Sequence, residues 1–232
     1  MKGNTVKLSK RTIDVFKYLS TISPSILIRE GNVLRSRNAA RTVLSRVEID
    51  EEFPKEFLIY DIPSFLRVVN LFDSPDIEFF DTHMIISQDT AKIRYMYSAK
   101  ELYPNPPGNE DYTPANIDWS MNVFLEESNI ENYLKAANVM NLDTISFTES
   151  GIILFNSNDE DSNNFEVEYQ NEVALEGDTP EAYSINFKTA NFNVFEGDYA
   201  ANFFCGAQVG VALTSADEKV KVWLSSLPSS QV

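Results

Sequence analysis

Cationic side chains recur in one short stretch near the N-terminus, at Lys7, Lys10, Arg11 and Lys17. On a helix of 3.6 residues per turn these four side chains lie on one side. The opposite side of that helix carries Leu8, Thr12, Val15, Phe16, Leu19 and Ile22. A row of ammonium and guanidinium groups can neutralise phosphates without reading bases. Such a row is also typical of a merely solvated helix face, and this alternative stays open.

The other groups that could do chemistry stand alone in the sequence. His83 is the only histidine, so His-based triads and multi-histidine metal sites are excluded. Cys205 has no adjacent base and is interpreted as a structural thiol. Asp159, Glu160 and Asp161 lack the twelve-residue loop of an EF-hand calcium site. We therefore expect no catalytic residue, no metal and no cofactor. Paired carboxylates for glycoside hydrolysis remain open, because their separation in space is invisible in a sequence.

The net charge of −16 is shared unevenly along the 232 residues. Residues 1–116 hold 15 Lys and Arg against 16 Asp and Glu, whereas residues 117–232 hold 4 against 19. So acidic a chain would be expected to avoid nucleic acid. However, exposed charges more than about 8 Å apart are largely screened at physiological salt. A local cationic face can therefore still bind phosphates on an otherwise acidic protein.

Short strands and a few helices must position these groups. The apolar spacing predicts helices over 7–22, 61–72, 126–140 and 187–194, with Asp61 as the N-cap of the second. Hairpins are predicted over 25–36, turning at Glu30-Gly31-Asn32, and over 142–155, turning at Glu149-Ser150-Gly151. Each half of the chain thus gives a helix, a hairpin, further strands, a second helix and more strands. This repeat predicts an α+β fold of two similar units, each an antiparallel sheet with two helices on one face.

A proline-rich stretch, Tyr103 to Pro114, separates the two copies, because four prolines and a glycine disfavour a helix or a central strand. We place the domain boundary here and predict domains of 1–110 and 111–232. No run of 18 apolar residues and no signal peptide is visible. The apolar neighbours of the single cysteine suggest a buried thiol in a reducing compartment, so we expect a cytoplasmic protein, in the host cytoplasm if it is viral.

Four sequence segments resemble a known family, the DNA polymerase sliding clamp of T-even-type bacteriophages. These segments are Leu8-Ser9-Lys10 with Thr12, Tyr60-Asp61-Ile62 followed by Phe65-Leu66, Leu142-Asp143-Thr144-Ile145, and Gly197-Asp198-Tyr199. Their order and spacing fit the family over nearly the whole chain. The resemblance implies two clamp domains per subunit in a ring-shaped homotrimer, with helices lining a hole around duplex DNA. It also implies a processivity factor in viral DNA replication that an ATP-dependent loader opens and that tethers the replicative polymerase.

In such a ring the exposed helix faces would present seven cations to DNA. These are Lys7, Lys10, Arg11, Lys17, Arg67, Lys135 and Lys188. Because Lys10, Arg11 and Lys17 lie opposite the buried stripe, we expect them to make no core contacts. The resemblance implies a second basic residue on the third helix, and at the matching position this chain has Asn138. We therefore expect the second domain to bind DNA more weakly than in relatives.

Clients of this family dock short C-terminal peptides on the clamp. We expect an apolar pocket near the linker and the C-terminus, with aromatic anchors typical of such sites. The candidates by residue type are Tyr112, Trp119, Trp223, Leu227 and Pro228. For both tryptophans, core packing is the favoured interpretation. An alternative function for the chain is an acidic, β-rich carbohydrate-binding module or glycan hydrolase.

Overall fold

A computed structural model describes residues 5–103, 105–114, 116–157, 167–169 and 182–231. The chain divides into two compact units, Met1–Glu110 and Asp111–Val232. Both units combine antiparallel strands with α-helix, so the predicted α+β class is confirmed. No helix in the described part of the chain is long and apolar enough to cross a membrane.

The described residues of the first unit form two α-helices and eight strands. The helices are α1 (Lys10–Ile22) and α2 (Ile62–Val69). The strands are β1 (Thr5–Lys7), β2 (Ile26–Ile28), β3 (Gly31–Arg37), β4 (Val43–Phe53), β5 (Phe57–Ile59), β6 (Asp76–Phe79), β7 (His83–Gln88) and β8 (Ala91–Met96). One 3-10 turn, Lys100–Leu102, follows β8.

Strand pairing in this unit departs from the predicted hairpin over 25–36. Strands β1, β6, β7 and β8 are hydrogen-bonded in that order, all antiparallel. Both strands of the expected hairpin exist, but β2 pairs with β5 and β3 pairs with β4. Gly31, with a φ of 107°, redirects the chain as only glycine does readily. Strand β3 then pairs with the much longer β4 instead of returning along the three residues of β2.

Helix α1 begins three residues later than predicted. Ser9 is its N-cap, since the Ser9 Oγ accepts a hydrogen bond from the Thr12 amide at 3.2 Å. The Glu51 carboxylate on β4 reinforces this end by accepting from the Ser9 amide and the Thr12 hydroxyl. A capped N-terminus fixes where a helix starts. Lys7 therefore lies in β1, and its predicted position on the helix is wrong.

The core of the first unit is built on the apolar face of α1. Val15, Phe16 and Leu19 have no exposed surface. The Phe16 ring packs edge-on against Phe65 of α2 and Phe53 of β4, with centroid distances of 5.6 and 6.4 Å. Aromatic pairs at such distances add to the stability gained from burial. The predicted apolar stripe of this helix is therefore confirmed.

Helix α2 is capped by Asp61, as predicted. The Asp61 carboxylate accepts hydrogen bonds from the Ser64 amide at 2.8 Å and the Ser64 hydroxyl at 2.5 Å. These bonds, led by the one from the hydroxyl, lower the pKa of the Asp61 carboxyl, and the nearby charge of Arg67 adds to the effect. Pro63 is in the first turn, where its missing N–H costs nothing.

Arginine side chains tie the proline-rich linker to the first unit. Arg29, Arg35 and Arg37 each donate from Nη2 to a backbone oxygen of the linker. The acceptors are the carbonyls of Pro107, Asn109 and Asn105, at 2.7, 2.6 and 2.7 Å respectively. Hydrogen bonds from a charged donor are stronger than neutral ones. The segment 105–109 is therefore held against strands β2 and β3.

The described residues of the second unit form one α-helix, α3 (Glu127–Met140), and eight strands. The strands are β9 (Ile117–Leu125), β10 (Thr144–Thr148), β11 (Gly151–Phe155), β12 (Val167–Tyr169), β13 (Ser184–Lys188), β14 (Tyr199–Gly206), β15 (Gly210–Ser215) and β16 (Val220–Ser225). The first sheet has the order β12-β11-β10-β13. Strands β16, β15, β14 and β9 are hydrogen-bonded in that order in the other.

The second predicted hairpin is confirmed. Strands β10 and β11 pair antiparallel, with Thr144 opposite Phe155 and Thr148 opposite Gly151. Gly151 has a φ of 138°, which a residue with a side chain rarely adopts, and so supplies the turn. Helix α3 buries Ile130, Tyr133 and Ala137.

The predicted helix over 187–194 is wrong. Phe187 and Lys188 end strand β13, and only a 3-10 turn, Thr189–Asn191, follows. Lys188 is opposite Thr144 of β10, and Thr189 continues this contact with hydrogen bonds to the Asp143 and Leu142 carbonyls, both at 2.9 Å. Pairing with β10 therefore takes up Phe187 and Lys188, the first residues that the apolar spacing assigns to a helix.

Cys205 is a buried thiol, as predicted, with 1% of its surface exposed. Burial disfavours the charged thiolate and raises the pKa of Cys205 to about 11. Its neighbours Phe203 and Phe204 are also buried. A thiol in such a place stays protonated and unreactive at neutral pH.

The cap of α2 gives a pH-dependent test. Asp61→Asn should keep the cap near pH 7, because Asn caps helices about as well as Asp. Folding lowers the Asp61 pKa, so the stabilisation is present above the unfolded value of about 3.9. It is lost as the pH falls through the lower folded pKa. Thermal melting between pH 7 and pH 2 should show a steeper loss of Tm for the wild type than for the variant. Parallel curves would contradict this assignment.

Candidate nucleic-acid interface

The outer face of α1 presents two exposed lysines. The Lys10 side chain is exposed and forms no hydrogen bond or ion pair with any residue that the structure describes. The Lys17 Nζ lies 2.7 Å from the Asp14 Oδ1, one turn earlier, and the Lys17 side chain remains 57% exposed. An exposed pair of this kind contributes little to stability. Both ammonium groups are therefore accessible to an anionic ligand.

Arg11 differs from these lysines, and the expectation that it makes no contact with the core framework is wrong. Its guanidinium Nη1 donates to the Glu48 carbonyl of β4 at 2.9 Å, and the residue is only partly exposed. The reason is position: Arg11 lies at the border between the apolar and cationic faces, so its long side chain folds back over the sheet. Arg11 therefore anchors α1 to β4.

Helix α2 adds a third exposed cation to this surface. Arg67 is exposed, and its Nη2 donates to the Ser64 hydroxyl at 2.6 Å. Because Phe16 and Phe65 pack in contact, α1 and α2 form one layer. The structure thus brings Lys10, Lys17 and Arg67 onto two adjoining helices of one unit. We call these three residues the cationic face.

The remaining predicted DNA-facing residues lie elsewhere. Lys7, in β1, pairs with Asp76 of β6 at 3.5 Å. Lys135 is exposed on α3, and Lys188 is exposed at the end of β13 and not on a helix. Lys7 and Lys188 are therefore strand residues, and only Lys135 lies on a helix of the second unit.

Helix α3 carries more acid than base. Glu127 and Glu131 lie on the helix and Glu126 is its N-cap, whereas Lys135 is its single cation. Asn138, where a second cation was expected in relatives, is exposed and uncharged. This helix therefore offers phosphates far less attraction than α1.

The residues proposed for a peptide pocket fall on both faces of a sheet. Trp223 shares a face with Asn202 and Asn122, since all three belong to one row of paired residues through Ala212. Trp119 is three positions from Asn122 on the same strand, so it points to the opposite face. Trp119 packs against Tyr183 at 5.8 Å, and Trp223 is 8% exposed. The structure does not bring the two tryptophans together.

Tyr112 and the C-terminal residues occupy two further places. The Tyr112 ring lies 6.2 Å from that of Phe204, on the sheet face that also carries Trp223, and its hydroxyl contacts Gln208. The Leu227 amide donates to the Asn186 carbonyl at 2.7 Å, so Leu227 and Pro228 begin a tail that follows the edge of β13. The Asn186 side chain holds this tail through Ser229, at 3.1 Å.

The histidine that was weighed for catalysis and metal binding packs on an aromatic ring. The His83 ring stacks on Phe80 at 4.8 Å and its Nδ1 lies 3.3 Å from the Thr82 hydroxyl. Among the described residues, no group of three or more His, Cys, Asp and Glu could hold a metal ion. Asp159, Glu160 and Asp161 lie outside the described residues.

Comparison with known proteins points to one family. The family model for the DNA polymerase processivity factor matches residues 7–105. A sliding clamp of Vibrio phage KVP40 is 24% identical over 196 residues, covering 84% of this chain and 88% of its own length. A sliding clamp of Escherichia phage RB69 is 26% identical over 156 residues, covering 65% of this chain and 66% of its own length.

Solved structures of clamps share the fold. The proliferating cell nuclear antigen (PCNA) of Entamoeba histolytica superposes with a TM-score of 0.62 at 10% identity, covering 98% of this chain and all of that one. The A. fulgidus PCNA bound to the C-terminal region of FEN-1 gives 0.63 at 13%, covering 98% and 99%. The DNA polymerase III β subunit of Borrelia burgdorferi gives 0.67 at 12%, covering 98% of this chain and 65% of that one.

These solved structures show that the chain has the fold of DNA sliding clamps. The family model and both phage relatives support the function of a DNA polymerase processivity factor of the type found in T-even phages. The alternative of a carbohydrate-binding module or glycan hydrolase is not favoured by any of these comparisons.

Sequence reasoning missed the arginines that tie down the linker and the structural role of Arg11. The sequence does carry a signal for the linker contacts. Five of the eight arginines lie between positions 29 and 46, and the linker is rich in proline, which has a carbonyl oxygen to accept a hydrogen bond but no N–H. A prediction from charge alone assigns such arginines to solvent.

Two neighbouring substitutions separate the structural from the accessible cations on α1. Arg11→Ala should lower the free energy of unfolding by about 1–2 kcal/mol, because it removes a charge-assisted hydrogen bond to Glu48 and the packing of the side-chain stem. Lys10→Ala should change it by no more than about 0.5 kcal/mol. Urea unfolding of both variants measures the difference. Equal values would show that the Arg11 contact does not stabilise the fold.

Proposed function

We propose that this clamp closes as a homotrimeric ring around duplex DNA, tethers the replicative polymerase and itself catalyses no reaction. The observation that carries the proposal is the cationic face, an accessible group of Lys10, Lys17 and Arg67 on a protein with a net charge of −16. A solvated surface alone would not require these cations to gather on two adjoining helices.

The chemistry of this face suits a sliding contact. Lysine and arginine bind phosphate oxygens, which carry no sequence information. A contact to base edges would be worth about 1–3 kcal/mol per base pair and would hold the clamp at one sequence. The exposed side chains of the two helices supply positive charge for phosphates and need no hydrogen bonds to base edges. The acidic remainder of the protein would repel DNA outside the ring.

Two strand edges support ring closure. Strand β8 pairs only with β7, and β12 pairs only with β11, among the described residues. Free edges invite pairing with another chain. Lys92 and Arg94 are exposed on β8, whereas the sequence from 156 to 181 holds nine Asp and Glu and no Lys or Arg. Pairing of β8 of one subunit with β12 of the next would be head-to-tail and would close at a fixed rotation.

Loading and client binding require other proteins. The sequence has no phosphate-binding glycine-rich motif, so ring opening would take its energy from an ATP-dependent loader. We retain a client-peptide surface near Tyr112, Trp223 and the tail from Leu227 and Pro228. Trp119 is assigned to packing against Tyr183. The protein would carry out this role in the cytoplasm of the host cell.

Charge reversal at the cationic face tests the DNA contact. Lys10→Glu, Lys17→Glu and Arg67→Glu together should abolish most processive synthesis on primed circular DNA, because the change is repeated in three subunits around one duplex. Arg11 is left out of this set, because its hydrogen bond to Glu48 stabilises the fold. Lys100→Glu, on an exposed side chain outside both helices, is the matched control. If the triple mutant folds and supports full processivity, the cationic face is a solvated surface that does not contact DNA.

The edge strands give a separate test of assembly. Light scattering of the wild type should report three times the mass of one chain. Lys92→Glu with Arg94→Glu should shift the protein toward monomer, because the reversal places like charges at the proposed junction. Raised salt should weaken the effect. A wild type that stays monomeric at high concentration, or a double mutant that assembles as tightly, would exclude this junction.

A further inference from the structure

Each helix of the cationic face also carries a carboxylate next to one of its exposed cations. On α1 the Asp14 Oδ1 lies 2.7 Å from the Lys17 Nζ. The Asp14 side chain is 30% exposed, and its carboxylate bonds to no other residue that the structure describes. Residues three apart on a helix are neighbours on its surface. The negative charge of Asp14 therefore lies on the same exposed surface as the ammonium group of Lys17.

On α2 the carboxylate acts through a hydroxyl. The Arg67 Nη2 donates to the Ser64 Oγ at 2.6 Å, and the Ser64 hydroxyl donates in turn to the Asp61 Oδ2 at 2.5 Å. Hydrogen bonds from the Ser64 hydroxyl and amide lower the pKa of the Asp61 carboxyl, and the charge of Arg67 lowers it further. The opposite charges of Asp61 and Arg67 therefore attract each other across the Ser64 bridge.

The stability of the helices does not require these two negative charges. An exposed pair such as that of Asp14 and Lys17 contributes little to folding. The cap of α2 needs only a side-chain oxygen, and asparagine supplies one about as well as aspartate. Both charges do, however, oppose the attraction of DNA phosphates to the cationic face. Their placement is therefore better explained by the contact with DNA than by the fold.

We propose that Asp14 and Asp61 weaken the hold of the cationic face on DNA phosphates, so that the closed clamp moves along the duplex instead of resting on it. This inference rests on the proposed clamp function and assigns two residues that set the strength of its DNA contact. A phosphate that binds Lys17 competes with Asp14 for the same ammonium group. The charge of Asp61 likewise repels a phosphate that approaches Arg67.

Tracking of single labelled clamps, loaded at full length by the cognate loader on stretched duplex DNA, tests the inference. Asp14→Asn and Asp61→Asn should each lower the diffusion coefficient roughly twofold or more at low salt, because phosphate attraction increases in every subunit of the ring. The difference from the wild type should disappear at about 0.5 M salt, where phosphate contacts are screened. The Tm of each variant at pH 7 should stay within about 3 °C of the wild type.

Two controls separate these carboxylates from a general effect of charge. Glu101→Gln removes one negative charge from an exposed side chain of the 3-10 turn, outside both helices, and should diffuse as the wild type does. Lys17→Gln is the background for the second control. Because Asp14 acts on Lys17, most of the slowing caused by Asp14→Asn should be lost when Lys17→Gln is also present.

Wild-type diffusion of either asparagine variant at low salt, or equal slowing by Glu101→Gln, would overturn the inference. Slowing that persists at high salt would also overturn it, because such slowing would not come from phosphate contacts. Failure of the clamp function itself appears in a different measurement, as a wild type that does not remain on the DNA after loading. That result would overturn the proposed function and this inference together, whereas failure of the inference alone appears only in the variants.

Discussion

Burial of Phe16 is the contact on which the arrangement of the first unit depends. The ring has no exposed surface and touches both Phe65 of α2 and Phe53 of β4. Loss of such a side chain costs about 3–5 kcal/mol, a large part of the stability of a domain. This burial fixes how α1 is rotated about its axis. Lys10 and Lys17 then have no position other than the solvent side, so the cationic face follows from the packing of the apolar one.

Exposed positive charge is distributed unequally between the helices of the two units. On α1 and α2 the cations Lys10, Lys17 and Arg67 are exposed, whereas α3 carries Glu127 and Glu131 with Lys135 as its only base. In a ring of three subunits, phosphate attraction would therefore alternate with near-neutral or repulsive sectors. Weak, spaced contacts lower the barrier to movement along a uniformly charged duplex, while the closed ring prevents escape. Affinity at any single site is then less important than closure.

Much of the fold could be predicted from local signals, and the errors share a cause. The apolar stripe of α1, the Asp61 cap and the hairpin at Gly151 are encoded within a few residues, so sequence patterns suffice. The extended state of Lys7 and Lys188 depends on pairing with distant strands, which no local pattern shows. Arg11 was misjudged in the same way, because its contact with β4 is a property of the assembled fold. The predicted helix positions of Lys7 and Lys188 are thus wrong, and the contact of the DNA-facing set with DNA stays a prediction.

Topological linkage is the central claim, and retention on DNA of defined closure measures it most directly. Labelled clamp is loaded on nicked circular DNA, washed in high salt and followed before and after a single restriction cut. A ring held by closure should remain on the circle despite the screening of phosphate contacts, and should leave soon after the DNA becomes linear. Equal retention on circular and linear DNA, or loss from both in high salt, would show that the protein binds the duplex only through surface charge and does not encircle it.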